Sequence, residues 1–328
     1  GTLSIKIAEF SNENGRPKLK NYAILSNYNL IENQTPKVFG GEAPAMLRRM
    51  LKESGITANE INMSAPIFSS FLTVMELPPM PESEIARAVQ FEAKKYILVP
   101  LDSVLVDWSL IGSNAEGKIL VLLVAIPKDL VNEYAIIARE SGLKLINLEL
   151  ETMSAARALI GNDPVPAVLM DMGSRDTTIS VVDGGYLRIS HSIETSGEDL
   201  TRSLANSLNI SWRRAEELKK EQGLKVMDHN NQINDVLTPL LDIIINATKN
   251  IIDLYFSKAN KKIEKLIIYG GAAKMPGFAE YLKNGLGFDV FIGNPFGKII
   301  HDEKLNSIIK DTGHEFAIAT GLALKAMQ

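Results

Sequence analysis

The sequence predicts an α/β protein of two lobes, and three observations predict it. The chain has 328 residues, more than one hydrophobic core ordinarily serves before a chain divides. Segments with strand and helix patterning alternate along its length, the signature of sheets covered by helices. Two strand-and-glycine turns bearing Ser or Thr, at Gly1–Lys6 and Asp171–Ile179, lie far apart in sequence, as expected if each lobe supplies one.

The first 60 residues open with alternation: Leu3, Ile5 and Ile7 against Ser4, Lys6 and Ala8, a half-buried strand. Asn14-Gly15-Arg16-Pro17 is turn chemistry, and Leu19–Leu25 returns as a strand. Pro44–Ser54 predicts a helix stopped by Gly55, with Met46, Leu47, Met50 and Leu51 at helical spacing. Residues 61–148 change texture. Ile61–Ala65 and Ser69–Leu77 are strands, and Pro78, Pro79 and Pro81 form a rigid turn into a helix over Glu82–Tyr96. Ser103–Ile111 and Lys118–Ile126 are strands, and Lys128–Ser141 is a helix ended by Gly142. This module reads as an insertion into the first lobe.

Val165–Met170 is a buried-type strand entering Asp171-Met172-Gly173, and Thr177–Val182 follows. Asp183-Gly184 is a hairpin signal, because a two-residue turn favours residues that accept positive φ; Tyr186–Ile193 is the return strand. Residues 201–264 are helical, through Leu204–Leu208, Ala215–Glu221 ending near Gly223, and a long helix over Val236–Ser257; Lys258–Lys265 reads as solvated surface. Lys265–Tyr269 is a strand running into Gly270-Gly271, followed by a helix at Phe278–Asn284, a strand at Asp289–Ile292 and a last helix at Glu315–Ala326.

Composition narrows the function. Hydrophobic residues make up 45% and charged residues 23%, with a formal net charge of −4: a globular balance, too acidic for a general nucleic-acid binder. Cysteine is absent, which excludes disulfides and thiolate metal sites and fits a cytoplasmic location. The four histidines, His191, His229, His301 and His314, form no pair at ligand spacing. The longest apolar run, Ile119–Ile126, falls far short of the roughly 20 residues of a membrane-spanning helix. The chain opens at Gly1 without Met, so residues are expected to precede it.

Candidate chemistry gathers at the glycine turns. A glycine lets backbone N–H groups approach a phosphate with no Cβ in the way, and hydroxyls add donors. Gly1, Thr2, Ser4 and Lys6 form one such unit; Gly173, Ser174, Thr177 and Thr178 form the second. Asp171 enters that second turn, where a carboxylate can hold Mg²⁺, directly or through its water shell. A third piece, Leu266–Gly277, runs an apolar strand into Gly270, Gly271 and Ala272, with Gly277 beyond; sheets of this class bind ligands past the carboxyl ends of their strands. No glycine-rich loop ends in Gly-Lys-Ser/Thr, Gly285-Leu286-Gly287 lacks the third glycine of a dinucleotide fingerprint, and no Gly-x-Ser-x-Gly elbow occurs.

These residues resemble the actin-like ATPase superfamily. Gly1 to Lys6 is similar to the second half of its first phosphate motif, whose Asp would precede Gly1. Asp171, Gly173, Thr177 and Thr178 resemble its second phosphate motif, and Gly270, Gly271 and Gly277 its adenosine motif. Ala215–Lys219 resembles the helix whose Glu and Lys, here Glu216 and Lys219, meet ribose and adenine. The narrower resemblance, over nearly the whole chain, is to the PilM family of type IV pilus assembly proteins. It rests on Gly1–Lys6, Leu77–Pro81 with Glu92 and Lys95-Tyr96-Ile97, Glu151 with Arg157-Ala158, Gly197–Thr201, and Asn294-Pro295-Phe296. Thr152 stands where that family commonly has Pro, and Ser196 where it has a second Gly.

The resemblance implies an actin-like two-lobed fold with duplicated mixed sheets and an inserted subdomain of FtsA type. The corresponding division is 1–60 with 149–163 as the first-lobe core, 61–148 as the insertion, 164–200 with 265–328 as the second-lobe core, and 201–264 as a helical subdomain. It implies ATP or ADP with Mg²⁺ in the cleft, Glu151 and Asp171 as the catalytic carboxylates, and slow or absent hydrolysis. It also implies partners: the N-terminal cytoplasmic peptide of PilN, held in a groove near the insertion, and other pilus platform proteins, placing the chain peripherally on the inner membrane. Two alternatives share the fold. A small-molecule kinase would need an acceptor-site motif, and none is apparent. An FtsA-like division protein would carry a basic amphipathic C-terminal helix, whereas the last helix here holds Ala317, Ala319, Ala323 and Ala326 with Lys325 as its one basic residue.

Overall fold

The computed structural model describes residues 4–26, 40–225 and 232–327. Gly1, Thr2 and Leu3 lie outside them, and with them two of the expected phosphate-site residues. The chain begins with an antiparallel pair, β1 (Ser4–Glu13) and β2 (Arg16–Ser26), turning at Asn14 and Gly15, both at positive φ. Helix α1 (Ala43–Ser54) ends where Gly55 adopts φ 68° and returns its N–H to Leu51, the left-handed cap that glycine supplies without strain. Strand β3 (Glu60–Ala65) leads through a 3₁₀ turn over Ile67–Ser69 into β4 (Phe71–Leu77). The strand expected from Ser69 thus starts two residues later, because the hydroxyls of Ser69 and Ser70 both turn back to the Pro66 carbonyl.

Helix α2 (Glu82–Tyr96) packs Ile85, Val89 and Ala93 onto a three-stranded sheet of β4, β5 (Val104–Ser113) and β6 (Ile119–Pro127), with Met75, Val121 and Leu123 in that core. The order β4-β6-β5 leaves β5 at an edge. Helix α3 (Lys128–Glu140) and strand β7 (Lys144–Leu150) return the chain to β3, beside which β7 lies parallel. Helix α4 (Glu151–Leu159) follows without a loop.

A five-stranded mixed sheet forms the second lobe. Its first strands are β8 (Ala167–Met172), β9 (Thr177–Asp183) and β10 (Tyr186–Ile193). Helices α5 (Gly197–Leu208), α6 (Trp212–Glu221) and α7 (Gln232–Ala259) precede β11 (Lys265–Tyr269), α8 (Phe278–Leu286) and β12 (Asp289–Ile292). The strand order is β10-β9-β8-β11-β12, antiparallel to one side of β8 and parallel to the other. Both faces of β8 are covered. Val168, Met170 and Met172 face a core under α5–α8, while Ala167 and Leu169 face α4, so the strand reads as an unbroken apolar run. The hairpin turn is Gly184-Gly185, both at positive φ, with Asp183 paired to Tyr186. It sits one residue later than Asp183-Gly184 suggests, because two adjacent glycines satisfy the positive φ at lower strain.

The chain ends with α9 (Asn306–Thr312), a 3₁₀ turn over Gly313–Phe316, and α10 (Ala317–Lys325). Helix α10 crosses α4 so closely that a Cβ on Gly321 would overlap the Ser154 carbonyl. At that crossing Glu149 is buried and accepts from Ser154 Oγ at 2.6 Å, from both terminal nitrogens of Arg157 at 2.6 and 2.9 Å, and from Lys325 at 2.9 Å. Among the described residues, the first-lobe strands form two separate pairs, β1-β2 and β3-β7, and the five-stranded ladder occurs in the second lobe. Among the same residues no helix is long and apolar enough to cross a membrane.

Candidate functional site

The β8–β9 turn is shaped by backbone contacts. Gly173 donates to the Asp176 carbonyl at 3.1 Å and accepts from the Gly197 amide at 2.9 Å, and Glu198 donates to Ser174 O at 3.1 Å. A Cβ on Gly173 would stand 2.7 Å from Asp176 O. The turn therefore needs glycine and is welded to the first turn of α5. That turn is fixed by a reciprocal cap: Ser196 Oγ accepts from the Asp199 amide, and the Asp199 carboxylate accepts from the Ser196 amide at 3.0 Å. Serine at the position where a second glycine is common thus supplies an N-cap. Opposite, Gly270 leaves β11 at φ 89°, and a Cβ there would collide with Asp171.

These turns border a cleft of about 270 Å³. Ser4, Lys6, Glu151, Asp171, Gly173, Ser174, Thr178, Glu216, Lys219, Gly270, Gly271 and Ala272 all line it, brought together from β1, α4, β8, β9, α6 and the loop after β11. Two expected residues do not. Thr177 is buried with its hydroxyl donated to the Thr195 carbonyl at 2.6 Å, because alternation along β9 turns it away from Thr178. Gly277 caps α8 at φ 78°, and a Cβ there would strike Leu224 at 2.9 Å; its glycine serves packing of that loop against the residues after α6.

Six carboxylates line the cleft, and three of them, Asp171, Glu151 and Asp176, interact with one another. Burial pushes Asp171 well above the ordinary carboxylate range, with Glu151 and Asp176 adding repulsion and Lys6 opposing it. Burial likewise raises Glu151 to about 7, against a hydrogen bond from the Ile67 amide at 3.1 Å. Asp176 is raised by burial, partly offset by the hydroxyls of Thr178 and Ser192. Lys6 is ion-paired to Glu315 at 3.3 Å and donates to Ser4 Oγ at 2.7 Å. The cleft thus holds acidic groups whose ionisation burial and mutual repulsion oppose. Among the described residues no three acidic or histidine side chains converge on one metal-sized position.

On the helical wall Lys219, 4% exposed, donates to Gly197 O, Thr201 Oγ1 and Glu216 Oε2, each at 2.7 Å. Burial lowers its pKa and Glu216 counters that. Burial also opposes the charge on Glu216, but Lys219 and Thr201 outweigh it and hold the carboxyl below its usual range. Asp176, Trp212, Lys220, Glu315, Phe68 and Tyr134 also line the cleft and were not among the expected residues. Asp176 carried a signal: it stands inside the second phosphate motif, two residues before Thr178. Phe68 and Tyr134 come from the insertion side and have no motif to mark them.

A family model described as Type IV pilus assembly protein PilM matches residues 1–327. The chain belongs to the PilM family. A chain of a PilM–PilN type IV pilus biogenesis complex superposes with TM-score 0.84 at 23% identity, over 100% of this chain and 97% of that one. The ethanolamine utilization protein EutJ of Carboxydothermus hydrogenoformans gives 0.56 at 18%, over 99% and 86%. MreB5 of Spiroplasma citri bound to ADP gives 0.52 at 15%, over 92% and 78%. Together with the PilM-family match they establish the actin-like fold. Among curated proteins, the cell division protein FtsA of Enterococcus faecalis is 21% identical over 47% of this chain and 40% of its own length, and that of Bacillus subtilis 28% over 28% and 21%. The chain spans less than half the length of these FtsA relatives.

Proposed function

We propose that this PilM-family chain is a nucleotide-binding scaffold of type IV pilus assembly. Its cleft takes ATP or ADP with Mg²⁺, and its insertion holds the N-terminal cytoplasmic peptide of a PilN-type partner. One observation carries the nucleotide half. Two glycine turns, the hydroxyls of Ser4 and Thr178, the Lys6 ammonium and the carboxyls of Glu151, Asp171 and Asp176, whose ionisation burial opposes, converge on a single cleft, a donor-and-acid arrangement suited to phosphate with a divalent cation.

In this reading the backbone of 173–174 and 270–272, with Ser4, Lys6 and Thr178, binds phosphate oxygens. Asp171 holds the cation, directly or through water, and the cation would neutralise charge between phosphate and carboxylates. Glu151 has a pKa suited to a base at neutral pH, yet one of its oxygens is committed to the Ile67 amide. Binding, with at most slow turnover, is the result. The 61–148 module and the lobes and helical subdomain bounded at 60, 163, 200 and 264 are taken as its working units.

The partner half is supported by family membership, by the likeness to a chain of a PilM–PilN complex, and by the surface of the insertion. Phe91, Leu98, Val99, Leu105 and Val106 are exposed there, and β5 is an open edge, features by which an extended peptide adds to a protein. The protein would sit in the cytoplasm, peripheral to the inner membrane through that partner. Calorimetric titration with Mg·ADP tests the nucleotide half. Saturable binding that Asp171→Ala weakens at least about tenfold supports the reading, as expected for loss of one buried charged ligand; absence of binding in the wild type refutes it.

A further inference from the structure

Among the described residues three lysines line the cleft, and each stands against a carboxylate. Lys219 and Lys220 share Glu216 on the helical wall, at 2.7 and 3.0 Å. Lys6 stands 3.3 Å from Glu315. Strong charge-assisted hydrogen bonds span about 2.7–2.9 Å, so the Lys6 pair, the longest of the three, is the one that exchanges most readily. It is also more open than the Lys219 pair: the Lys6 and Glu315 side chains are 18% and 23% exposed, against 6% and 15% for Lys219 and Glu216.

The two members of the Lys6 pair differ in freedom. Glu315 sits in the 3₁₀ turn over Gly313–Phe316. On one side the His314 carbonyl accepts from the Gly270 amide at 3.2 Å. On the other, Phe316 is 2% exposed and meets Tyr22 edge-on at 5.8 Å and Phe296 at 6.1 Å. Helix α10 starts two residues on, at Ala317, and the N-terminal end of a helix favours negative charge. The carboxylate is therefore held where it is. Lys6 carries its ammonium on a flexible four-carbon stem rooted in β1, so in an exchange it is the ammonium that moves. An anionic ligand that takes this ammonium brings negative charge to a place where Glu315 already stands, and like charges set side by side oppose binding.

We infer that Glu315 is a resident counter-ion of Lys6 that a phosphate group has to displace, and that it holds the anion affinity of the cleft down. The inference rests on the nucleotide reading above. Glu315 acts through Lys6 and is a positioning residue.

The test measures Mg·ADP, Mg·pyrophosphate and adenosine by calorimetry on the wild type, E315Q and E315D. E315Q should bind ADP and pyrophosphate about fivefold more tightly than the wild type, the upper end of what a solvent-accessible ion pair contributes, and leave adenosine, which has no phosphate, unchanged. E315D keeps the charge and should stay within about twofold of the wild type. Damage to the fold weakens binding, so a purely structural role for Glu315 does not produce a gain. Unchanged or weaker binding of ADP and pyrophosphate by E315Q, an equal gain for adenosine, or an equal gain in E315D would overturn the inference while leaving nucleotide binding intact. Failure of ADP and pyrophosphate to bind wild type and E315Q alike would instead remove the nucleotide reading itself.

Discussion

Glu151 stands at the first position of α4, with the Ile67 amide on one oxygen and Asp176 and Asp171 for company. Its pKa rises from 4.5 to about 7 on folding, so the folded chain binds more protons than the unfolded one between those values. Stability contributed by this group therefore falls as pH rises from about 4.5 towards 7, and it stays low above that. Glu151→Gln, which keeps an acceptor for Ile67, should remove this fall and stabilise the protein at pH 8 by on the order of 2 kcal/mol, with little change at pH 4.5. Thermal melts of both proteins across pH 4.5–8 check it. Gly270 is a second test at this scale. Ala there must place a Cβ against Asp171 at φ 89°. Gly270→Ala should cost about 2 kcal/mol or more and weaken nucleotide binding as well. Sequence made most of the cleft's glycines, hydroxyls and charges visible because each phosphate-type turn needs those residues locally. It did not reveal that the hydroxyl of Thr177 is spent on Thr195, or that Gly277 serves Leu224, because both depend on partners distant in sequence.

Helices and strands carry those residues, and their crossings decide the lobe arrangement. α4 and α10 meet at Gly321, with Arg157 donating to the Gly321 carbonyl at 2.9 Å. Asn62 on β3 donates to Leu322 O at 3.0 Å, so one short helix is held by two other elements. Glu149 at the end of β7 binds Arg157 and Lys325 there. Glu149→Ala leaves two cations without their carboxylate and should destabilise by about 3–5 kcal/mol; Glu149→Gln, which keeps part of the hydrogen bonding, should cost less. Gly321→Ala should cost about 3 kcal/mol by forcing the helices apart. Denaturant unfolding of the three variants compares these costs. Sequence periodicity located α2 to the residue, and located β10, β11 and β12 equally well, since their ends coincide with Pro, Gly or charge. It passed over β7 and α4. There a buried Glu149 interrupts the apolar pattern, and Glu151 begins a helix with no side-chain cap to announce it.

At the scale of the whole molecule, the cleft and the insertion share a boundary. The Ile67 amide held by Glu151 belongs to the 3₁₀ turn that joins β3 to β4 of the inserted sheet. Phe68 in that turn and Tyr134 on α3 line the cleft itself. In the proposed reading a ligand that draws on Glu151 acts on the segment from which the insertion hangs, the route by which we expect nucleotide and peptide binding to be coupled. The two-lobed α/β class was legible from length and alternation. The pairing of first-lobe strands was not, because parallel partners such as β3 and β7 lie more than 80 residues apart and nothing local specifies their register. The decisive measurement is calorimetric titration of the protein with the N-terminal peptide of the proposed PilN-type partner, with and without saturating Mg·ATP. Peptide binding whose affinity changes by about fivefold or more with nucleotide is the predicted result, the lower end of ordinary allosteric coupling. Peptide affinity that is identical with and without bound nucleotide, or no peptide binding in either state, would contradict it.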